Sequence, residues 1–338
     1  MREAVLYEKL EHKDVLCGLC AHRCRIKDGS FGFCGVRLNQ TGILYSLSYG
    51  KVIASHVDPI EKKPLYHFFP GSMSFSIATP GCNFVCDFCQ NWEISQLKSK
   101  RGLFDDIPFT SPEDVVAGAV KNKCKSISFT YTEPTIYFEF ALDTAKIAKE
   151  QGLYTVFVTN GYMSEESLRM ISPYLDAANV DLKFFKDESY KKVCGGSLQP
   201  VLRSIALMKQ LGIWTEVTTL VVPGQNDSSE ELTGIAEFIA GIDNTMPWHI
   251  SRFYPQYKMN NLEPTPEEIL KKAREIGYNC GLRYVYVGNV HGWGSDTQCL
   301  SCKKILIKRR AFDVGENRVK NGTCGFCGGK IPGMFVSS

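Results

Sequence analysis

Seven short runs rich in β-branched and aromatic residues, most of them followed by a longer amphipathic stretch, constrain the fold of this 338-residue chain more than any other feature. Such alternation is typical of βα units that form a parallel sheet covered by helices. Because six or seven units fall short of the eight in a closed barrel, the sequence predicts an α/β fold with an open, partial (βα)6-7 TIM-like barrel. The predicted strands are 74–78, 126–130, 154–158, 178–182, 215–221, 248–253 and 283–287.

Start and stop signals bound the predicted helices. Ser111 and Thr265 each precede a proline and glutamate, so both are predicted as N-caps with proline at the first helical position. Gly152 and Gly212 are predicted where helices end before a strand. Polar residues follow most predicted strands, and in such barrels the chemistry lies at the strand ends.

The chain contains 14 cysteines, and eleven of them fall into three short groups. We find no signal peptide and no apolar run of 18 residues, which predicts a cytoplasmic protein without a membrane partner. Cysteines stay reduced in that compartment, so clusters of them indicate metal binding. The isolated Cys124, Cys194 and Cys280 are interpreted as small buried hydrophobes. A net charge of +3 gives no sign of polyelectrolyte binding through bulk charge.

The central group is Cys82, Cys86 and Cys89, a Cys-x3-Cys-x2-Cys loop directly after the first predicted strand. Structural zinc sites are closed by four protein ligands, whereas three thiolates on a [4Fe–4S] cluster leave one iron free for an outside ligand. That iron can chelate the amino and carboxylate groups of S-adenosylmethionine. The alternative is a zinc site completed by a distant histidine such as His56 or His67.

This loop, with Phe88 before its third cysteine, resembles that of the radical S-adenosylmethionine (radical SAM) superfamily. The resemblance implies a [4Fe–4S] cluster at the central cysteines, with S-adenosylmethionine bound and Phe88 near its adenine. It also implies reductive cleavage to methionine and a 5′-deoxyadenosyl radical, which abstracts a hydrogen atom from a substrate.

The resemblance extends to later strand ends. Thr130, Thr132 and Glu133 lie in a segment similar to the superfamily's Gly-Gly-Glu-Pro, which implies that they hold the methionine ammonium. Asn160, at the end of the third strand, is assigned to the same cofactor-binding set.

Three further residues belong to that set. The fourth strand carries Asp181 and Lys183, which point to the same face. Similarity to the activating enzymes of glycyl radical enzymes implies that Asp181 contacts ribose and Lys183 the carboxylate of the cofactor. His249, on the sixth strand, occupies the position of a cofactor-contacting histidine in those enzymes. An inward ion pair for the first two, and a core role for His249, are the structural alternatives.

The flanking cysteine groups predict two small metal-binding appendices, residues 1–45 and 293–338, on either side of a barrel at 46–292. The first supplies four thiolates, which suit either zinc or an auxiliary [4Fe–4S] cluster. The second has the paired spacing of a zinc ribbon, and we predict zinc there. We expect this ribbon beside the barrel mouth. The ligands are Cys17, Cys20, Cys24 and Cys34 in the first group and Cys299, Cys302, Cys324 and Cys327 in the second.

All three groups, with the motif at 58–68, resemble the AmmeMemoRadiSam system radical SAM enzymes, which are similar to pyruvate formate-lyase activating enzymes. This resemblance implies an electron donor such as flavodoxin or ferredoxin, and the name of the family suggests a Memo-like partner protein. A glycyl radical enzyme, another protein, RNA or a small molecule remains open as the substrate. The ribbon weakly favours a macromolecule. The alternative function is an iron–sulfur electron-transfer protein without radical chemistry.

Overall fold

The computed structural model describes residues 1–96 and 104–335. The N-terminal part consists of two small antiparallel sheets, one with strands in the order 2–3, 43–46 and 37–40 and the other with strands in the order 7–9, 15–17 and 25–26. Their strands are short and joined by tight turns, which leaves little apolar area for an independent core. The strands are β1 (Arg2–Glu3), β2 (Tyr7–Lys9), β3 (Val15–Cys17), β4 (Arg25–Ile26), β5 (Arg37–Gln40) and β6 (Ile43–Ser46).

An eight-stranded sheet forms the centre of the molecule, with its strands in sequence order. The first pairs antiparallel with the second, and the remaining seven are parallel. Within the described residues the two outermost strands are not paired with each other, so the partial barrel is open as predicted. The strands are β7 (Ala54–Pro59), β8 (Met73–Ala78), β9 (Ser126–Phe129), β10 (Tyr154–Thr159), β11 (Ala177–Asp181), β12 (Trp214–Val221), β13 (Trp248–Arg252) and β14 (Val285–Gly288).

Helices connect the parallel strands. Gly118 lets the helix at Pro112–Lys121 pack closely on the sheet, because an added Cβ there would lie 2.8 Å from the ring of Phe75 on β8. The α-helices are α1 (Trp92–Ser95), α2 (Pro112–Lys121), α3 (Phe138–Glu150), α4 (Glu165–Ile171), α5 (Asp187–Ser189), α6 (Leu198–Gln210), α7 (Ser229–Ile242) and α8 (Glu267–Asn279). Short 3-10 turns lie at Glu11–Lys13, Ile60–Lys62, Pro134–Tyr137, Ser172–Tyr174 and Tyr257–Met259, and a π turn at Tyr190–Cys194. None of the helices in the described part of the chain is both long enough and apolar enough to cross a bilayer.

Most predicted helix boundaries are confirmed. Ser111 caps α2 by accepting a hydrogen bond from an amide in the first turn, and Gly152 and Gly212 have φ of 70° and 79° after their helices. The prediction for Thr265 is wrong. Its hydroxyl donates to the carbonyl of Val221 and accepts from the amide of Phe253, so it ties strand ends together and α8 begins one residue later.

Residues 60–72 link the end of β7 to the start of β8, and we call them the floor segment. They lie at the amino ends of the parallel strands, opposite the mouth. Leu65 and Phe68 pack there against Val156 and Ala177, which belong to β10 and β11. The floor segment therefore closes the end of the barrel that faces away from the central cysteine loop.

The C-terminal ribbon, residues 297–335, packs on the floor segment. Phe69 donates its amide to the carbonyl of Met334, and His67 Nδ1 lies 2.7 Å from the carbonyl of Pro332. The expectation that the ribbon lies beside the mouth is therefore wrong, because these contacts hold it at the opposite end. Its strands are β15 (Thr297–Gln298), β16 (Ile305–Arg310), β17 (Asp313–Asn317), β18 (Val319–Lys320) and β19 (Thr323–Cys324).

Candidate functional site

The central cysteine loop follows β8 at the barrel mouth. Hydrogen-bond donors approach two of its sulfurs: the amide of Phe84 lies 3.4 Å from Cys82 Sγ, and the hydroxyl of Ser95 lies 3.2 Å from Cys89 Sγ. Donors of this kind stabilise the thiolate, which is the form that binds metal. Burial raises the pKa of Cys82 and of Cys89, and the two donors oppose that rise. The surroundings of these sulfurs therefore fit thiolates that are held by a bound iron–sulfur cluster together with these donors.

Cys86, the remaining loop cysteine, lies against Cys194. A hydrogen bond from the Cys194 thiol lowers the pKa of Cys86, burial opposes this, and the ammonium of Lys183 adds to the lowering. Our sequence analysis treated Cys194 as an isolated hydrophobe. The signal was the pair of glycines after it. A Cβ on Gly195 would lie 2.7 Å from the side chain of Val85 and one on Gly196 2.3 Å from the ring of Phe84, so the chain after Cys194 packs directly on the central loop.

Asn160 also reaches the central loop. Its Nδ2 donates to Asn83 Oδ1 at 2.8 Å and lies 3.9 Å from Cys82 Sγ. Asn83, which the motif analysis did not single out, has its carbonyl oxygen 2.7 Å from His22 Nε2. The end of β10 and the N-terminal appendix therefore both contact the residue that follows Cys82.

Glu133 joins the carboxyl ends of two strands. Its carboxylate is buried and accepts hydrogen bonds from the Thr159 hydroxyl at 2.7 Å, the Asn160 amide at 2.8 Å and the Thr135 amide at 3.0 Å. Burial raises the pKa of Glu133, although these donors oppose the rise. The carboxylate is thus held rigidly beside the loop, and its role toward S-adenosylmethionine remains a prediction.

The segment before Glu133 forms a tight turn. Thr132 donates its hydroxyl to the carbonyl of Thr79 and its amide to the carbonyl of Thr130, each at 2.7 Å. Between the two threonines Tyr131 has a φ of 63°, in the left-handed region that glycine adopts readily. The backbone therefore takes a glycine-like conformation where the superfamily segment has its first glycine.

Asp181 and Lys183 form an ion pair of 2.9 Å beside the loop. The Lys183 ammonium lies 5.7 Å from the centre of the buried Phe88 ring. Although burial disfavours the charged form, Asp181 holds the pKa of Lys183 well above its usual range. The structure thus brings these three residues together with Cys86.

His249 lies elsewhere in the barrel. Its Nε2 is 2.6 Å from the buried carboxylate of Glu216, which also accepts the amides of Tyr66 and His67 from the floor segment. Burial is the largest influence and would raise the pKa of Glu216, but the hydrogen bonds from His249 and Trp214 and the nearby imidazoles of His249 and His67 together lower it. The structure does not give His249 a contact with the central loop, and its role as a cofactor contact stays a prediction.

The two histidines considered as a fourth ligand are also accounted for. Both ring nitrogens of His67 are engaged at the floor, by the carbonyl of Pro332 and by the hydroxyl of Tyr286 at 2.6 Å. His56 packs edge-on against Tyr131, with ring centres 5.9 Å apart. His67 therefore cannot complete a zinc site at the central cysteines.

The N-terminal cysteine group surrounds a small cavity beside the mouth. All four residues, Cys17, Cys20, Cys24 and Cys34, line it, and Asn83 belongs to the same wall. Burial raises the pKa of Cys34 to about 11. Four cysteines that line one cavity fit a metal centre, and the shared wall would put that centre next to the central loop.

The sulfurs of the C-terminal cysteine group converge, since all four lie within 4.8 Å of one another. Burial would raise the pKa of Cys299, but hydrogen bonds from backbone amides and from the partner thiols lower it to about 6. A lowered pKa favours the thiolate at neutral pH, so the group fits a closed metal site. Its members are Cys299, Cys302, Cys324 and Cys327.

An open parallel βα barrel with a three-cysteine loop after its first parallel strand defines a class of protein, and comparison with known proteins identifies the same class. The Radical SAM superfamily matches residues 76–239. An uncharacterized protein of Methanocaldococcus jannaschii is 46% identical, covering 98% of this chain and 99% of its own length. A pyruvate formate-lyase-activating enzyme of Clostridium pasteurianum is 25% identical, covering 58% of this chain and 86% of its own length.

Solved structures agree at the level of the fold. A radical SAM methyltransferase from Sphaerobacter thermophilus matches with a TM-score of 0.51 and 14% identity, covering 66% of this chain and 68% of that one. Streptococcus suis SuiB bound to S-adenosylmethionine matches with a TM-score of 0.50 and 12% identity, covering 69% and 53%. The chain belongs to the radical SAM superfamily and is an enzyme of that type. Membership implies S-adenosylmethionine and a [4Fe–4S] cluster as cofactors.

Proposed function

We propose that this enzyme holds a [4Fe–4S] cluster on Cys82, Cys86 and Cys89 and uses it to cleave S-adenosylmethionine and abstract hydrogen from a substrate at the barrel mouth. The observation that carries the proposal is the three-thiol loop with hydrogen-bond donors at its sulfurs. When bound, the cluster supplies the electron that converts S-adenosylmethionine to methionine and a 5′-deoxyadenosyl radical.

The residues around the loop have defined tasks in this proposal. Asp181 binds the ribose hydroxyls and Lys183 the carboxylate, both held in place by their mutual ion pair. Phe88 provides an apolar surface for the adenine. Glu133 and the turn before it orient backbone carbonyls toward the methionine ammonium. The remaining proposed contacts are Asn160 and His249.

The partners follow from the relatives. Those named pyruvate formate-lyase-activating enzymes support a protein substrate and a small electron donor such as flavodoxin or ferredoxin. A Memo-like partner rests on the family resemblance alone. The superfamily match supports radical chemistry over the alternative of a simple electron relay, because it covers all of the proposed cofactor contacts except His249.

The decisive experiment is anaerobic reduction with dithionite in the presence of S-adenosylmethionine, with 5′-deoxyadenosine measured by chromatography. Changing Cys82, Cys86 and Cys89 together to alanine should abolish the product, because the central loop then has no thiolate to hold iron. Cys280→Ala, in an isolated cysteine at the end of α8, is the matched control and should retain it. Cleavage at the wild-type rate in the triple variant would rule out the proposal, provided that circular dichroism shows the variant folded.

A further inference from the structure

A cavity of about 330 Å³ lies between the flank of the barrel and the C-terminal ribbon. Helix α8 and the start of β14 form one wall, and the first ribbon knuckle, with Cys299 and Lys303, forms the other. None of the central-loop cysteines lines this cavity. Its volume lies in the range of small-ligand sites, and nothing in the radical chemistry makes use of it.

Positive charge dominates the lining. Arg274, Arg283 and Lys303 all border the cavity, and Asp296 is the one carboxylate among its lining residues. In residues 1–96 and 104–335 none of the three cations has an ion-pair partner. Asp296 already accepts the backbone amide of Arg309 at 2.8 Å. Three cations against one engaged carboxylate leave a net charge that attracts an anion.

Two residues that line the cavity carry buried polar groups that are unsatisfied. The hydroxyl of Tyr284, a residue only 3% exposed, and Arg274 Nε have no hydrogen-bond partner among the described residues. Buried donors normally find an acceptor, because leaving one unpaired costs free energy. The Arg274 guanidinium is also held in place, since its Nη2 donates to the hydroxyl of Tyr278 one helical turn away. Donors that are held in place and unpaired in the protein are typical of a site that binds an anionic ligand.

We propose that this cavity binds a phosphate group, carried either by a free nucleotide or by an RNA chain. An arginine offers parallel N–H donors that match phosphate oxygens, and two further cations balance a dianion. Tyr278 stands at the rim with 43% of its surface exposed, so its ring can stack on a base attached to that phosphate. This site is separate from the barrel mouth and its existence does not depend on the radical reaction.

The test is isothermal titration calorimetry on the full-length, metal-loaded protein with inorganic phosphate, adenosine monophosphate and a short single-stranded oligoribonucleotide. We expect saturable binding of inorganic phosphate in the millimolar range or tighter. Tighter binding of the mononucleotide would assign the site to a free nucleotide, and tighter binding of the oligonucleotide would assign it to RNA. The absence of saturable binding for all three ligands would overturn the proposal.

Variants make the test specific. Arg274→Met should weaken phosphate binding roughly tenfold or more, because it removes charge-assisted hydrogen bonds. Tyr284→Phe deletes only a hydroxyl that has no hydrogen-bond partner in the part of the chain that the structure describes, so the variant should fold normally and bind phosphate several-fold more weakly. Lys272→Met removes an exposed charge from the same helix and should bind as the wild type does. Wild-type affinity in both Arg274→Met and Tyr284→Phe would contradict the assignment even if phosphate binds.

Discussion

Arg309 anchors the C-terminal ribbon on the floor of the barrel, and its replacement tests how firmly the two are joined. Its guanidinium is fully buried and donates to the carbonyl of Tyr66 at 2.7 Å, to the hydroxyl of Thr297 at 2.8 Å and to Glu61 at 3.4 Å. Arg309→Met keeps most of the apolar stem and removes every one of these bonds.

The expected cost follows from what the substitution leaves behind. Among the described residues Glu61 would retain only the amide of Gly71 at 3.0 Å, because its Oε2 has no hydrogen-bond partner there even in the native protein. Breaking a buried ion pair by removing one partner costs about 3–5 kcal/mol. A loss of about 3 kcal/mol raises the population of the detached ribbon by roughly a hundredfold.

Limited proteolysis followed by mass spectrometry measures that population directly. Arg309→Met should speed cleavage within the ribbon roughly a hundredfold, whereas Arg310→Met, at the exposed neighbouring position, should leave it near the native rate. Adding Glu61→Gln to Arg309→Met should recover part of the loss, because the unpaired carboxylate is then gone. Equal cleavage rates for the Arg309 and Arg310 variants would refute the view that the buried pair holds the ribbon.

Two further predictions concern the same end of the barrel. Burial lowers the pKa of His67 to about 4 from an unfolded value near 6.5, so the folded state binds fewer protons than the unfolded state between these pH values. The stability of the folded protein should therefore be intact above about pH 6.5 and fall by up to about 3 kcal/mol toward pH 4. Urea titrations at pH 7 and pH 5 should show this decline in the wild type and less of it in His67→Gln; identical pH slopes would contradict it. Changing Cys324 and Cys327 to alanine should remove about one zinc per chain by elemental analysis and unfold the ribbon, while the central iron stays. Iron in place of zinc at that site would show that we assigned the wrong metal.

The parallel strands could be predicted from the sequence because each is a short, largely buried run of small, β-branched and aromatic residues, and all seven lie within two residues of their predicted bounds. Strand β7 escaped prediction. It is an edge strand that contains Ser55, His56 and Asp58, so it lacks the apolar pattern of a covered strand. The three cysteine groups could be identified from their spacing. Like the composition of the strands, this spacing is a local signal that lies within a short stretch of sequence.

The position of the ribbon could not be predicted locally. Its anchoring contacts join residues 248 and 265 positions apart, and no short pattern near Arg309 or Pro332 specifies the floor segment as the partner. The surroundings of His249 could not be predicted either, because Glu216 and the amides of the floor segment are distant from it in sequence and come close only in the folded chain. Thr265 shows a different limit: its sequence context suits a helix cap, and tertiary hydrogen bonds compete for the same hydroxyl.

The anchoring of the ribbon also sets an order for biosynthesis. The floor segment leaves the ribosome about 250 residues before the residues that cover it, so His67, Tyr66 and the buried carboxylate of Glu61 must wait for their partners while the whole sheet is translated. During that interval the nascent barrel exposes apolar and ionisable groups that the finished protein buries. Chaperone capture and proteolytic loss should therefore concentrate on chains interrupted between β14 and the ribbon, which carry a complete sheet and an uncovered floor.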